Sequence, residues 1–283
     1  MLTVAVLLSG PHRQSMLETA LASIPLESAA LSQVLIRHQG GPWDWGGELR
    51  ERLEAHPKVR IVEFPDKVDF AQSFNRTLDA IDTPWALMLP DDDYLIRPAA
   101  QAGFETVAAD PAASSCGFVA FGWYFLRDNR YLASYVKRHD LFSMLHYAPK
   151  FCTTMLNLRR VRELGGFDPN VGGLLDSALF ARLAYEYDAL LAKTPIGIYR
   201  LHSGQESFQR LPVPQVEALR DLLVGYARNP GERKAFERRL PGATWTRPNR
   251  ATELLHELSF RLRSQARPAE TDWQFGMSKW SSR

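Results

Sequence analysis

The chain has 283 residues, 45% of them apolar and 23% charged, with a formal net charge of +2. That balance belongs to a globular protein with a core, and it excludes disordered, collagen-like and disulfide-scaffold classes. The 34 Lys/Arg against 32 Asp/Glu create no whole-molecule field of the kind that draws in nucleic acid, so no nucleic-acid partner is expected.

Met1 to Leu8 is apolar but lacks the basic region and cleavage pattern of a signal peptide. Thr3–Leu8 reads instead as a strand buried on both faces, ended by Ser9-Gly10-Pro11. Met16–Ile24 has helical period, Gln33–Ile36 reads as a second strand, and a Gly-rich loop carrying Trp43 and Trp45 follows. Val59–Phe64 is a third strand. Phe70–Ile81 is a helix with Phe70, Phe74, Leu78 and Ile81 on one face. Trp85–Leu89 is a fourth strand, running into Pro90-Asp91-Asp92-Asp93-Tyr94, and Pro98–Ala109 is helical. This alternation predicts an α/β fold: a mainly parallel sheet flanked by helices, with the ligand beyond the carboxyl ends of the strands.

After Pro111 the pattern changes. Phe118–Phe125 and Tyr131–Val136 read as strands of an antiparallel addition, and Met155–Leu158 as another before a short helix around Val161. Asp176–Glu186 is a helix and Ile196–Leu201 a last strand. Cys116 and Cys152 have no zinc or disulfide spacing and read as buried thiols in a reducing cytosol. Residues 206–283 hold 14 basic and 9 acidic side chains, a surplus of five, whereas the first 205 hold 20 and 23, a deficit of three. The expected division is therefore a domain over 1–205 and a basic helical extension over 206–283, with helices near Val216–Tyr226 and Thr252–Arg263. The extension reads either as a helical cap or as a contact for an anionic membrane surface or acceptor. No segment reaches the roughly 20 apolar residues of a membrane-spanning helix, so the expected location is cytoplasmic, with peripheral contact on the inner membrane face left open.

The acidic run is the most informative feature. Adjacent carboxylates repel one another and desolvate badly, so a fold places them in an exposed helix-capping turn or around a cation. Strand alternation would set Asp91 and Asp93 on one side and Asp92 on the other. Two carboxylates on one side suit Mn²⁺ or Mg²⁺, hard cations that also bind phosphates. No GxxxxGK[ST] loop, GxGxxG turn, GxSxG elbow or DxDxT pattern is present.

Four segments in order over residues 3–205 give the chain a resemblance to inverting glycosyltransferases of family 2, with the GT-A fold. They are Val4–Ser9 with Arg13; Phe74-Asn75-Arg76-Thr77-Leu78 followed by Trp85 to Asp93; Gly165-Gly166-Phe167-Asp168 with Leu174-Leu175-Asp176; and Tyr199-Arg200-Leu201-His202 with Ser203 and Ser207. The resemblance implies a nucleoside-diphosphate-sugar donor held by Ser9, Arg13, Asp69, Asn75, Asp91 and Asp92. It implies Mn²⁺ or Mg²⁺ on Asp91, Asp93 and His202, and an acceptor that is a glycan or glycolipid. Asp176 matches the catalytic base, although its place in the first turn of a helix also suits a cap. His202 is either a metal ligand or a strand-end histidine bonded to backbone. Asp168 is expected to be structural, with Phe167 as a core plug. The chain departs from the family at Leu175, Pro90 and Arg37-His38-Gln39, where relatives often carry acidic residues. The alternatives are a catalytically degenerate nucleotide- or glycan-binding protein and a sugar nucleotidyltransferase. The aromatic rings of Trp123, Tyr124, Trp43 and Trp45 are suited to sugar stacking or to the core.

Overall fold

The computed structural model describes residues 1–8, 14–41, 46–136, 149–202, 213–227, 229–239, 263–264 and 277–280. Ser9, Arg13, Trp43, Trp45, Ser203, Ser207 and nearly all of the expected helix Thr252–Arg263 lie outside these residues.

The first half alternates as its periodicity dictates: β1 (Leu2–Leu7), α1 (Gln14–Ser23), β2 (Leu31–Gln39), α2 (Gly47–Glu54), β3 (Val59–Phe64), α3 (Phe70–Asp79), β4 (Trp85–Pro90), the two-residue β5 (Tyr94–Leu95) and α4 (Arg97–Ala109). Then come β6 (Phe118–Arg127), β7 (Arg130–Ser134), β8 (Thr154–Asn157), α5 (Leu158–Glu163), α6 (Leu175–Tyr187), β9 (Ala189–Arg200), α7 (Val213–Gly225), α8 (Pro230–Arg239) and β10 (Met277–Trp280). Among the described residues these strands form one sheet, ordered β10-β9-β6-β8-β4-β1-β2-β3, with β5 paired to β9 and β7 to β6. Strands β3, β2, β1 and β4 are mutually parallel. Strand β8 inserts antiparallel between β4 and β6, which makes β6 and its parallel neighbour β9 co-directional with β4.

Burial on both faces of the central strands explains their nearly continuous apolar sequence. Ala5, Leu7, Leu35, Ala86 and Met88 face one core, shared with α3, α6 and α7. Val4, Val6, Val34, Ile36, Leu87 and Leu89 face the other, with α1 and α4. Helix α3 shows how the sequence fixes an element. Asp69 caps it, accepting from the Gln72 amide at 2.8 Å, and Phe74 and Leu78 are buried one turn apart. A cap is worth about 1 kcal/mol and each buried side chain about 1.5–3 kcal/mol.

The structure departs from the expected elements in three places. Helix α2 occupies what read as the end of a Gly-rich loop; it begins beyond Gly46 and buries only Leu49, so it carries almost no apolar stripe. Strand β2 extends past Ile36 through Arg37 and His38, both buried, and the polar side chains hid the continuation. The last expected strand is the second half of the longer β9, with a register shift opposite Gly122. Within the basic tail, α7 buries Val216, Leu219 and Leu223 in the α3/α6 core, and Gln215 accepts a hydrogen bond from the Gly173 amide at 3.1 Å. Cys116 and Cys152 are buried as thiols, with no disulfide between them. No helix among the described residues is long and apolar enough to cross a membrane.

Gly122 sits where β6 and β9 approach so closely that a Cβ would collide with the Lys193 carbonyl. Gly122→Ala should therefore cost about 1–3 kcal/mol and lower the melting temperature by about 3–10 °C. An unchanged melting curve would contradict this register.

Candidate functional site

The carboxyl ends of the parallel strands supply the site's floor. The Leu7 carbonyl, at the end of β1, accepts the Asp91 amide at 3.2 Å, and the Arg37 carbonyl of β2 accepts the Leu8 amide at 3.3 Å. Past Pro90 the backbone turns, with the Asp93 amide donating to the Pro90 carbonyl at 3.1 Å. Strand alternation ends there, and the three carboxylates go to three different surroundings. All three residues are buried, at 0%, 8% and 2% exposure for Asp91, Asp92 and Asp93.

Asp91 lies within electrostatic reach of Arg37. The Arg37 guanidinium is buried, donates from Nη1 to the Ser73 hydroxyl of α3 at 2.6 Å, and has no hydrogen-bond partner at Nε among the described residues. Burial brings its pKa down to about 10, with Asp91 acting in the other direction. Asp92 meets His202, Oδ2 to Nε2 at 3.0 Å. Asp93 turns inward, where Oδ1 accepts the Arg200 amide at 3.0 Å. Burial, followed by the charge of Asp92, raises the Asp93 pKa well above the carboxylate range, while the Arg200 amide, the Cys152 thiol and Lys150 act the other way. Burial and the nearby Asp93 raise the Cys152 thiol as well. The carboxylate beside His202 is therefore that of Asp92, while Asp93 is tied to the β9 backbone. Strand β9 makes this possible, since it runs parallel to β4 through β6 and so delivers Arg200 and then His202 to the same end of the sheet.

Among the described residues no group of three His, Cys, Asp or Glu is disposed to hold a metal ion. The Asp92–His202 pair nevertheless suits a divalent cation that draws its remaining ligands from phosphate oxygens and water, the usual habit of Mg²⁺.

Asp176 is half-buried in the first turn of α6. Its Oδ1 accepts from the Ser177 amide at 2.6 Å and lies 3.3 Å from the Ser177 hydroxyl. Helix α6 ends at Tyr187 and feeds β9 at its start, so its first turn lies toward the end where β4 and β9 terminate. Asp69, exposed at the start of α3, serves as that helix's cap.

Asn75 is committed to the Gly-Gly-Phe-Asp turn. Its Nδ2 donates to the Phe167 carbonyl at 3.0 Å and its Oδ1 accepts the Phe167 amide at 2.8 Å. Gly166 has φ 78°, and a Cβ there would strike the Asn75 amide, so the clamp needs glycine. Phe167 is buried edge-on to Phe74 with centroids 5.0 Å apart, and Asp168 accepts from the Asn170 amide at 2.9 Å. Trp123 and Tyr124 are buried at 0% and 3% exposure, which assigns both to the core. The sequence reading missed Ser73, Lys150 and the contact between Cys152 and Asp93. None carries a local motif, and only the buried polar end of β2 hinted at Arg37.

Asn75→Ala should strand both Phe167 backbone groups and destabilise the fold by about 1–3 kcal/mol; wild-type stability would contradict the clamp. For Asp93 the pH dependence has a definite sign. A raised folded-state pKa means that the buried group's contribution is fully present at low pH and is lost as pH rises above the ordinary carboxylate range. Asp93→Asn, which keeps the acceptor and removes the charge, should melt no lower than wild type at pH 8. A lower melting temperature would contradict this.

No family model matches the chain, and no curated protein does. Solved structures do. Residues 1–349 of S. aureus TarS in complex with UDP-GlcNAc superpose with a TM-score of 0.62 at 11% identity, over 85% of this chain and 70% of that one. The mannosyltransferase PcManGT from Pyrobaculum calidifontis, in complex with GDP-Man and Mn²⁺, superposes with a TM-score of 0.53 at 17% identity, over 91% and 79%. The chain shares the fold of these two proteins: a curled, mostly parallel sheet flanked by helices.

Proposed function

We propose that the protein is a glycosyltransferase that moves a sugar from a nucleoside-diphosphate sugar, with inversion, to a hydroxyl of a glycan or glycolipid. One observation carries the reading. The acidic run and His202 meet at the carboxyl end of the parallel strands, where folds of this class bind ligands, while a separate carboxylate, Asp176, stands on another element toward the same end. The nucleotide sugars bound by TarS and PcManGT support the donor class.

In this reading Asp92 and His202 hold Mn²⁺ or Mg²⁺. The PcManGT complex with Mn²⁺ supports a cation, and such an ion offsets the negative charge that develops on the leaving diphosphate. Arg37 balances the buried Asp91, and Ser9, Arg13 and Asp69 serve the donor's ribose and phosphate side. Asn75 acts at one remove, by fixing the Gly-Gly-Phe-Asp turn. Asp176 takes the proton of the acceptor hydroxyl. The acceptor oxygen forms its bond to the anomeric carbon from the face opposite the diphosphate, and the bond to the diphosphate oxygen breaks with the electron pair leaving on that oxygen. Residues 206–283 act as an extension of the domain over 1–205, and their surplus of five positive charges suits a location in the cytoplasm beside an anionic membrane surface.

The bond between the Asp176 carboxylate and the Ser177 amide favours a second reading, in which Asp176 only accepts a first-turn amide of α6, whose N-cap is Leu174, and the protein binds nucleotide or glycan without turnover. Two measurements separate the readings. UDP, GDP and dTDP, each with Mn²⁺, should be screened by thermal shift; the first reading expects one base to raise the melting temperature and chelation to reverse the rise. Asp176→Asn should lower transfer by about 10²–10⁴-fold while nucleotide binding persists. Turnover at the wild-type rate would remove the base assignment, and full activity in EDTA would remove the metal.

A further inference from the structure

Three helices send a side chain to the backbone that leads into Asp176. From α3, Asn75 clamps Phe167. From α6, Arg182 donates from Nη1 to the Gly166 carbonyl at 2.9 Å and from Nη2 to the Leu164 carbonyl. These two hold the Gly-Gly-Phe-Asp turn. From α7, Gln215 accepts the Gly173 amide at 3.1 Å, three residues before Asp176. Of the three side chains, Gln215 is the one that holds the short 3₁₀ segment Pro169–Leu174.

That segment has a kink to hold. Gly172 leaves the helical course at φ 50° and ψ −123°, outside the regions open to residues with a Cβ. A Cβ there would overlap the Gln215 amide group, so the two residues are fitted to each other. Beyond the kink Leu174 and Leu175 enter the core, while Asp176 stays half-buried. Gln215 itself is firmly mounted. It is the third residue of α7, and Val216, Leu219 and Leu223 of that helix are buried in the same core as Val171, Leu174 and Leu175. Gly173 is exposed, so water would satisfy its amide as well. What the bond supplies is position rather than relief of a buried donor.

We infer that Gln215 is a positioning residue: carried by α7, it fixes the turn before α6 and, through that turn, the placement of the Asp176 carboxylate. Gln215 lies beyond the expected domain boundary at residue 205, so α7 completes the wall that bears Asp176. The inference rests on Asp176 being the base in the function proposed above.

Two readouts on the full chain test it. Hydrogen–deuterium exchange needs no substrate. Gln215→Met keeps the length of the side chain and removes the acceptor. It should speed exchange by about three- to tenfold in peptides covering residues 170–178, the scale of one lost hydrogen bond, while α3 and β4 exchange as in wild type. Gln215→Glu keeps an acceptor oxygen at the same length and should restore protection. Unchanged exchange, or faster exchange spread equally over α3 and β4, overturns the inference. The second readout is release of UDP from UDP-GlcNAc or of GDP from GDP-Man in Mn²⁺, with water as the acceptor. Gln215→Met should lower kcat by up to about 100-fold, the scale of a misplaced catalytic group, with KM for the nucleotide sugar unchanged and Gln215→Glu close to wild type. A wild-type kcat in Gln215→Met, with Asp176→Asn inactive, overturns the positioning role and keeps the base. A wild-type rate in Asp176→Asn overturns both. If wild type releases neither nucleotide, the donor assignment fails, and exchange alone decides whether Gln215 holds the turn. Gln215→Ala carries the same expectations should Gln215→Met not fold.

Discussion

Three consecutive carboxylates buried at the end of one strand are the constraint on which the rest of this structure depends. Desolvating even one carboxylate is costly, and its neighbours add repulsion. The fold meets this cost with a different partner for each. Arg37 reaches Asp91 from β2 electrostatically, His202 meets Asp92 from beyond β9, and the Arg200 amide holds Asp93. Each partner arrives because a strand parallel to β4 ends beside it. The antiparallel insertion of β8 is what brings β6 and β9 back to that direction.

This division of labour separates structure from chemistry within one short motif. Asp93 and Cys152 form part of the wall, both buried and both shifted toward their neutral forms. Asp92 and His202 keep side-chain exposures of 11% and 22%, enough for a ligand to reach them.

Much of this was legible in the sequence. Apolar runs and an amphipathic stripe are local signals, so β1, β3, α3, β4 and α4 lie within two residues of where they read, although Phe70 of the expected α3 stripe is 51% exposed and β3 has no fully buried residue. The position of the acidic run at the end of β4 was equally plain. Its internal geometry was not. Period-2 alternation applies only to extended chain, and the hydrogen bond from Asp93 to Pro90 ends it, so Asp92 rather than Asp93 lies beside His202. Asn75 looked like a donor contact because its partner, the Phe167 backbone, lies 92 residues away. Arg37 and His38 read as the end of a strand because polar side chains conceal burial, and α2 was missed because a helix resting on one buried leucine has almost no periodicity.

The central claim is that Asp92 and His202 grip a divalent cation together with a nucleoside diphosphate. The most direct measurement is an electron paramagnetic resonance titration of Mn²⁺ into the protein, with and without UDP or GDP. For wild type the free-ion signal should fall when one of the nucleotides is added, and for Asp92→Asn it should persist. Equal signal loss in the two proteins, or none in wild type with either nucleotide, would contradict the account.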